Sequence, residues 1–143
     1  MNPLTTLLLI LSTSLFLFLT PTLARVSSIT LDSPTAIHGQ NISITTTSYS
    51  HIQNWEDFGI VWGLLRDNDE DCRECVGMEL GYESLYGNNT LGNTTYSVQL
   101  PNTTTGSYYL KAAVPYLVGI SGETGINYFN QSLTLVSNAK MRV

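Results

Sequence analysis

Phe58-Gly59-Ile60-Val61-Trp62-Gly63-Leu64-Leu65 decides the fold class. The run carries neither a charge nor a hydroxyl. It is too short for a helix core and apolar on both faces of an extended chain, as a strand covered from both sides must be. Working outward, the chain keeps the same habit. Before it, Asn41–Tyr49 is β-branched and half polar, with Ile42 and Ile44 on one face, and Val26–Leu31 alternates until Asp32-Ser33-Pro34 stops it. After it come Met78–Tyr86, then Tyr96–Leu100 ending at Pro101, then Ser107–Val114 opened by Gly106, and finally Tyr128–Val136, where Leu133 and Leu135 alternate. No amphipathic helix, internal repeat or low-complexity linker interrupts these runs. The pattern predicts an all-β domain, a single immunoglobulin-like or fibronectin-III-like β-sandwich of about seven strands.

The first 24 residues read as a cleaved secretory signal peptide. Leu7–Leu19 is apolar apart from small hydroxyl residues, Pro21 breaks it, and Thr22-Leu23-Ala24 offers small side chains where a signal peptidase inspects them. A positive n-region is missing. The expected mature domain is residues 25–143, secreted and exposed to an oxidising exterior. The C-terminal Ser137–Val143 lacks the hydrophobic tail of a lipid-anchor signal. A net charge of −5, with six Lys+Arg and no basic run, argues against nucleic acid and against anionic membrane surfaces. A monomer is expected.

Five Asn-x-Ser/Thr sequons stand at Asn41, Asn88, Asn93, Asn102 and Asn130. In a chain so rich in Ser and Thr, chance supplies about two, so the excess points to a glycoprotein. Each modified Asn must face solvent, and Asn88, Asn93 and Asn102 mark one stretch as exposed loop.

Little in the sequence carries chemistry. Cys72 and Cys75 are the only cysteines. In an oxidising compartment they are expected to close a small disulfide, since no βαβ pattern surrounds them to make a thiol oxidoreductase. Asp67, Asp69 and Asp71 resemble a calcium loop only superficially: Cys72 replaces the required glycine and Met78 stands where a bidentate Glu is needed. His38 and His51 lack ligand spacing, so no metal is expected. Glu56-Asp57 could pair with Glu79 or Glu83 as a glycosidase dyad, whose carboxylate separation a sequence does not set. No cofactor is implied, and a non-enzyme is expected. Of the two tryptophans, Trp62 is expected in the core. Trp55, between Gln53-Asn54 and Glu56-Asp57, is expected to be at least partly exposed and able to anchor a sugar or protein contact.

Between Val114 and Tyr128 lies a Gly-rich stretch that keeps Tyr116, Leu117, Val118, Ile120 and Ile126, with glycines at 119, 122 and 125. Tight backbone with positive φ is expected there. Trp55, Asp57-Phe58-Gly59-Ile60-Val61-Trp62-Gly63, the Cys72-x-x-Cys75 pair, Pro115-Tyr116-Leu117-Val118-Gly119 and Gly122-Glu123-Thr124-Gly125-Ile126-Asn127-Tyr128-Phe129-Asn130 together resemble the necrosis-inducing secreted effector family of filamentous fungi. The resemblance spans essentially the whole mature chain and is most specific over Tyr116–Asn130. It implies a secreted effector that binds plant receptor-associated protein kinases, suppresses pattern-triggered immunity and induces host cell death in some members. The secreted form would then be translocated into the host cytoplasm. Trp55, Tyr116, Ile120, Ile126 and Tyr128 are the candidate partner contacts. The rival class is a fungal cell-wall β-glucan-associated module, which Thr105-Gly106-Ser107-Tyr108-Tyr109-Leu110 resembles.

Overall fold

The runs bounded by turn residues all become strands. The computed structural model describes residues 24–69 and 72–138, and these residues hold nine strands in two sheets. In chain order they are β1 (Ala24–Leu31), β2 (Thr35–Ile37), β3 (Asn41–Ser50), β4 (Trp55–Asp57), β5 (Gly59–Arg66), β6 (Met78–Ser84), β7 (Gly92–Gln99), β8 (Gly106–Val118) and β9 (Glu123–Val136). The smaller sheet has the order β1-β3-β7. The larger has the order β2-β9-β8-β5-β6, with β4 paired to the far end of β8. Every pairing is antiparallel except that of β2 with the end of β9.

Strand count departs from the expected seven because β2 and β4 are each only three residues long, too short to display an alternation. Strand β7 begins at Gly92, earlier than Tyr96, because threonines that read as turn residues pair across the sheet. Thr95 lies opposite Thr45 with their hydroxyls 3.1 Å apart. Asn93 is therefore a strand residue, not a loop residue. Most of the expected signal peptide lies outside the described residues. Ala24, its expected last residue, is the buried first residue of β1.

The core forms where the inner faces meet. The smaller sheet contributes Val26, Ile29, Ile42, Ile44 and Val98, and the larger contributes Ile60, Trp62, Leu64, Tyr108, Leu110, Ala112, Val114, Leu133 and Leu135. Val26 and Ile29 can both point inward only because a bulge between Val26 and Ser28 adds a residue and inverts the alternation. Trp62 is buried as expected, and β5 is covered on both faces. Full burial of one large apolar side chain stabilises by about 1.5–3 kcal/mol, so this set supplies the principal driving force. One local device fixes the entry to β8: the Tyr108 hydroxyl donates back to the Thr104 carbonyl at 2.8 Å.

Candidate functional site

The Gly-rich stretch is not a loop. Strands β8 and β9 pair without a break from Gly106↔Leu135 to Val118↔Glu123, so the hairpin runs past the end of the core. Only Gly119–Gly122 turns, with positive φ at Gly119 (73°) and Gly122 (68°). The Gly122 N–H donates to the Gly119 carbonyl at 3.3 Å. Glycine meets that demand without a Cβ clash.

Period two then sorts the candidate contacts. Tyr116 shares a face with the core-facing Val114 and Ala112; Pro115, Leu117, Ile126 and Tyr128 lie on the outer face. Ile120, at the tip, is fully exposed, Ile126 is 49% exposed, and Tyr128 is half-buried. The outer face and the tip thus bring Ile120, Ile126 and Tyr128 onto one accessible end, while Tyr116 belongs to the other side.

Trp55 is a correction. It is only 5% exposed. Its polar sequence neighbours suggested a surface turn, but β4 pairs with the tip of β8, Trp55 opposite Val118 and Asp57 opposite Tyr116, which turns both Trp55 and Asp57 inward. The Tyr116 ring stacks on Trp55 with centroids 4.2 Å apart and planes 20° apart. The Arg25 guanidinium lies over the indole at 4.2 Å, and the His51 ring is tilted against it at 4.8 Å. Tyr116 lies flat only because Gly125 opposite it has no side chain; a Cβ there would strike the phenol. Trp55 is therefore the support beneath the hairpin rather than a contact on it.

Asp57 anchors this end. Its Oδ1 accepts from Trp55 Nε1 at 2.7 Å, and its Oδ2 accepts from the Val26 N–H at 2.7 Å and from Asn89 Nδ2 at 3.0 Å. Burial pushes its carboxyl above the ordinary carboxylate range, outweighing the opposing pull of the Val26 and Trp55 hydrogen bonds and of the Arg25 charge. Asn89 also donates to the Ala24 carbonyl at 2.8 Å and accepts from Ser48 Oγ at 3.2 Å. One carboxylate and one amide thus join β1, β3, β4 and the β6–β7 connection. Sequence reasoning missed Asn89, since nothing in Asn88-Asn89-Thr90 says which asparagine faces inward.

The remaining candidates are dispersed. The Glu56 carboxylate accepts from the Gly87 N–H at 2.8 Å, and Asp57 faces the interior, so Glu56-Asp57 is not arranged as an exposed dyad. His38 is hydrogen-bonded to the Asn102 side chain at 3.0 Å, and His51 Nδ1 accepts from the Gln53 N–H at 3.3 Å. Asp67 and Asp69 lie in a short 3-10 turn, and Asp71 falls outside the described residues. Among the described residues, no group of three or more His, Cys, Asp or Glu side chains is gathered to hold a metal. Cys72 and Cys75 lie at disulfide-bonding distance, Cα atoms 5.6 Å apart. Their loop is tied to the outer face of the larger sheet by Lys111, buried at 5% exposure, whose ammonium donates to the Cys72 carbonyl at 2.8 Å. All five sequon asparagines are exposed.

The model of a family described as the Nis1 family matches residues 22–134. No curated protein matches the chain. Among solved structures, a superoxide reductase (neelaredoxin) from Ignicoccus hospitalis and two of its single-residue variants are similar. Each shares 10% identity, with 78% of this chain and 82% of theirs covered, at a TM-score of 0.48. A likeness at that level bears on neither chemistry nor partners.

Proposed function

The chain belongs to the Nis1 family of necrosis-inducing secreted proteins, and we propose that it is a non-catalytic effector whose β8–β9 hairpin docks on plant receptor-associated protein kinases. Such docking would suppress pattern-triggered immunity after the secreted protein is translocated into the host cytoplasm. The observation that carries this reading is the hairpin itself. It extends beyond the core, rests on the stack of Tyr116 against buried Trp55, and presents Ile120, Ile126 and Tyr128 on an accessible end. Apolar and aromatic anchors held on rigid backbone are what a protein interface uses, with a few residues carrying most of the binding energy.

A non-catalytic role is supported by how the titratable side chains are employed. Asp57 binds three N–H donors, Glu56 caps the Gly87 N–H, and Lys111 holds the cysteine loop. We read the sandwich as immunoglobulin-like, close to fibronectin III. The three-stranded sheet of first, third and seventh strands, with Tyr108 bonded back to Thr104 at the start of β8, supports that reading. The exposed sequons are read as glycan carriers, and the protein as a monomer.

The test is a pull-down of the full secreted chain against plant receptor-associated kinase domains, beside one on insoluble β-glucan. Wild type is expected on the kinase and not on the glucan. Ile120→Ser and Ile126→Ser are expected to lose kinase binding while their circular dichroism and melting temperature stay unchanged. Retention on glucan alone would favour the cell-wall reading, and kinase binding undiminished by either variant would remove the hairpin from the contact.

A further inference from the structure

On the outer face of the larger sheet, period two lines up Tyr128, Asn130 and Ser132 along β9. Lys111 of β8 stands opposite Asn130, Tyr109 opposite Ser132, and Leu65 of β5 opposite Tyr109. Leu65, Tyr109, Lys111, Tyr128 and Asn130 floor a hollow of about 470 Å³, which the cysteine loop walls with Cys72 and Arg73. The wall is held there by the Lys111 ammonium, which donates to the Cys72 carbonyl at 2.8 Å and reaches the Arg73 carbonyl at 3.5 Å. Asn130 is exposed, whereas Tyr109 and Tyr128 are half-buried. An accessible amide thus shares the hollow with two tyrosine rings.

Asn130 is also the acceptor position of the sequon Asn130-Gln131-Ser132, and its setting differs from that of the other four. Two residues before Asn41 and Asn93 stand Gly39 and Leu91, both outside the strands that those asparagines occupy. Asn102 follows Leu100 in a loop and is bonded to His38 at 3.0 Å. Asn88 follows Tyr86 by two, but both lie in a turn, and the Tyr86 ring is stacked on Phe58. Among the five, Asn130 alone has an aromatic residue two places earlier on the same face of one strand. That spacing sets the two Cα atoms about 7 Å apart, a gap that one sugar ring bridges.

We propose that Asn130 carries an N-linked glycan whose first N-acetylglucosamine is seated in this hollow, one apolar face against the ring of Tyr128. A pyranose shows C–H groups on its faces and hydroxyls around its edge. Tyr109 and Tyr128 offer the matching combination of apolar ring and polar tip, and Leu65 adds apolar floor. Attachment joins Asn130 Nδ2 to C1 of the sugar, supplied by a lipid-diphosphate-linked oligosaccharide of the secretory route. The amide loses one proton, and the C1–O bond breaks with its electron pair leaving on the diphosphate. Once attached, the sugar is held at the hollow by its own bond, so the contact forms without the entropic cost of association. A seated sugar covers Tyr128. Ile126 stands four residues from Asn130, about 13 Å along the strand, so the seat leaves Ile120 and Ile126 to the proposed docking and requires nothing of it.

The experiment uses the full chain secreted from a eukaryotic host. Digestion with peptide N-glycosidase in H₂¹⁸O is expected to convert Asn130 to ¹⁸O-labelled Asp, read by peptide mass. In protein trimmed enzymatically to one N-acetylglucosamine per site, nuclear Overhauser contacts are expected between the sugar and the ring protons of Tyr128. Ser132→Ala removes the sequon and keeps Asn130. In the trimmed protein it is expected to lower the melting temperature by about 2–6 °C, the shift that one aromatic contact produces in a domain of this size. In the Tyr128→Ala background, or in the sugar-free chain, the same substitution is expected to change it by less than about 1 °C. An unoccupied Asn130, an occupied one without contacts to Tyr128, or a Ser132→Ala shift of equal size with and without Tyr128 or the sugar overturns the proposal. Should Tyr128→Ala not fold, the Overhauser contacts decide. No kinase enters any arm, so a failure of docking leaves these readouts unmoved.

Discussion

Trp55 and Asp57, two residues apart on a three-residue strand, point to the same interior face, and the indole N–H donates to the carboxylate at 2.7 Å. In sequence they stand in a polar, acidic segment. In the fold they are one buried unit: the carboxylate gathers N–H groups from β1, from the indole and from Asn89, and the indole supports Tyr116 and Arg25. The base of the exposed hairpin therefore depends on a group whose charge is set by burial.

Replacing Asp57 by Asn should destabilise the protein by about 2–3 kcal/mol, although the two side chains are isosteric. The amide keeps one acceptor oxygen and turns N–H₂ toward donors that need an acceptor. The pH dependence follows from the raised carboxyl. Between the ordinary value of 3.8 and its higher folded value, the native state holds a proton that the unfolded state has released. Asp57 therefore stabilises the fold most at low pH, and that contribution falls as pH rises through the folded value and is flat above it. Urea melts of both proteins from about pH 3 to about pH 7 isolate this group, because other carboxylates cancel in the difference. The wild-type advantage should narrow with rising pH; an advantage that widens would mean the hydrogen bonds outweigh burial.

Fluorescence gives an independent check on the burial of both indoles. With Trp55 and Trp62 each nine-tenths or more shielded, the single-tryptophan variants Trp55→Phe and Trp62→Phe should both resist acrylamide. Strong quenching of the protein that retains Trp55 would show that β4 opens in solution.

The strands were legible because most of the buried residues obey period two, and Phe58–Leu65 marked the strand covered on both faces. What escaped was set by pairing rather than by composition. Trp55 is turned inward by β8, more than fifty residues later in the chain. Gly119, Gly122 and Gly125 made Val114–Tyr128 look like loop, yet only the first two occupy the turn, and Gly125 is a strand residue that leaves room for a ring. Asn89 carries no periodic signal at all. Its role comes from the side chains that other elements bring to it.

At the entry to β8 the Tyr108 phenol is nearly buried and reaches back to Thr104 at 2.8 Å. Tyr108→Phe keeps the ring in the core and removes the hydroxyl, with its bond to the Thr104 carbonyl and its contacts with the Thr103 and Thr104 hydroxyls, so it should cost about 1–2 kcal/mol. Chemical denaturation should show a lower midpoint with an unchanged slope, as expected when stability alone has changed.

Cys72→Ser with Cys75→Ser should leave the fold intact. The closed loop is so short that the loop-closure model assigns it about 2 kcal/mol at most, and Lys111 holds the Cys72 carbonyl independently. Intact mass with and without reduction and alkylation should show the pair joined in the secreted wild type. Lys111→Met should be the more damaging change, because it removes the donor that ties the Cys72 carbonyl to the sheet. If the double serine variant melts far below Lys111→Met, the disulfide and not the lysine secures the loop.

The two faces of the hairpin give the sharpest separation of structure from contact. Tyr116 stacks on Trp55 across Gly125, whereas Ile126 on the next position of the same strand faces outward at 49% exposure. Tyr116→Ala removes a ring from a packed aromatic stack and should cost about 3 kcal/mol. Gly125→Ala should displace the same ring and lower stability in the same direction. Ile126→Ser touches no core atom and should stay within about 0.5 kcal/mol of wild type. Melting temperature read beside kinase pull-down then forms a two-way test. The inner-face variants should lose stability first and binding with it, while Ile126→Ser loses binding alone. Should Ile126→Ser destabilise as much as Tyr116→Ala, the outer face is packed against something in solution, and the accessible end of the hairpin is not free to dock.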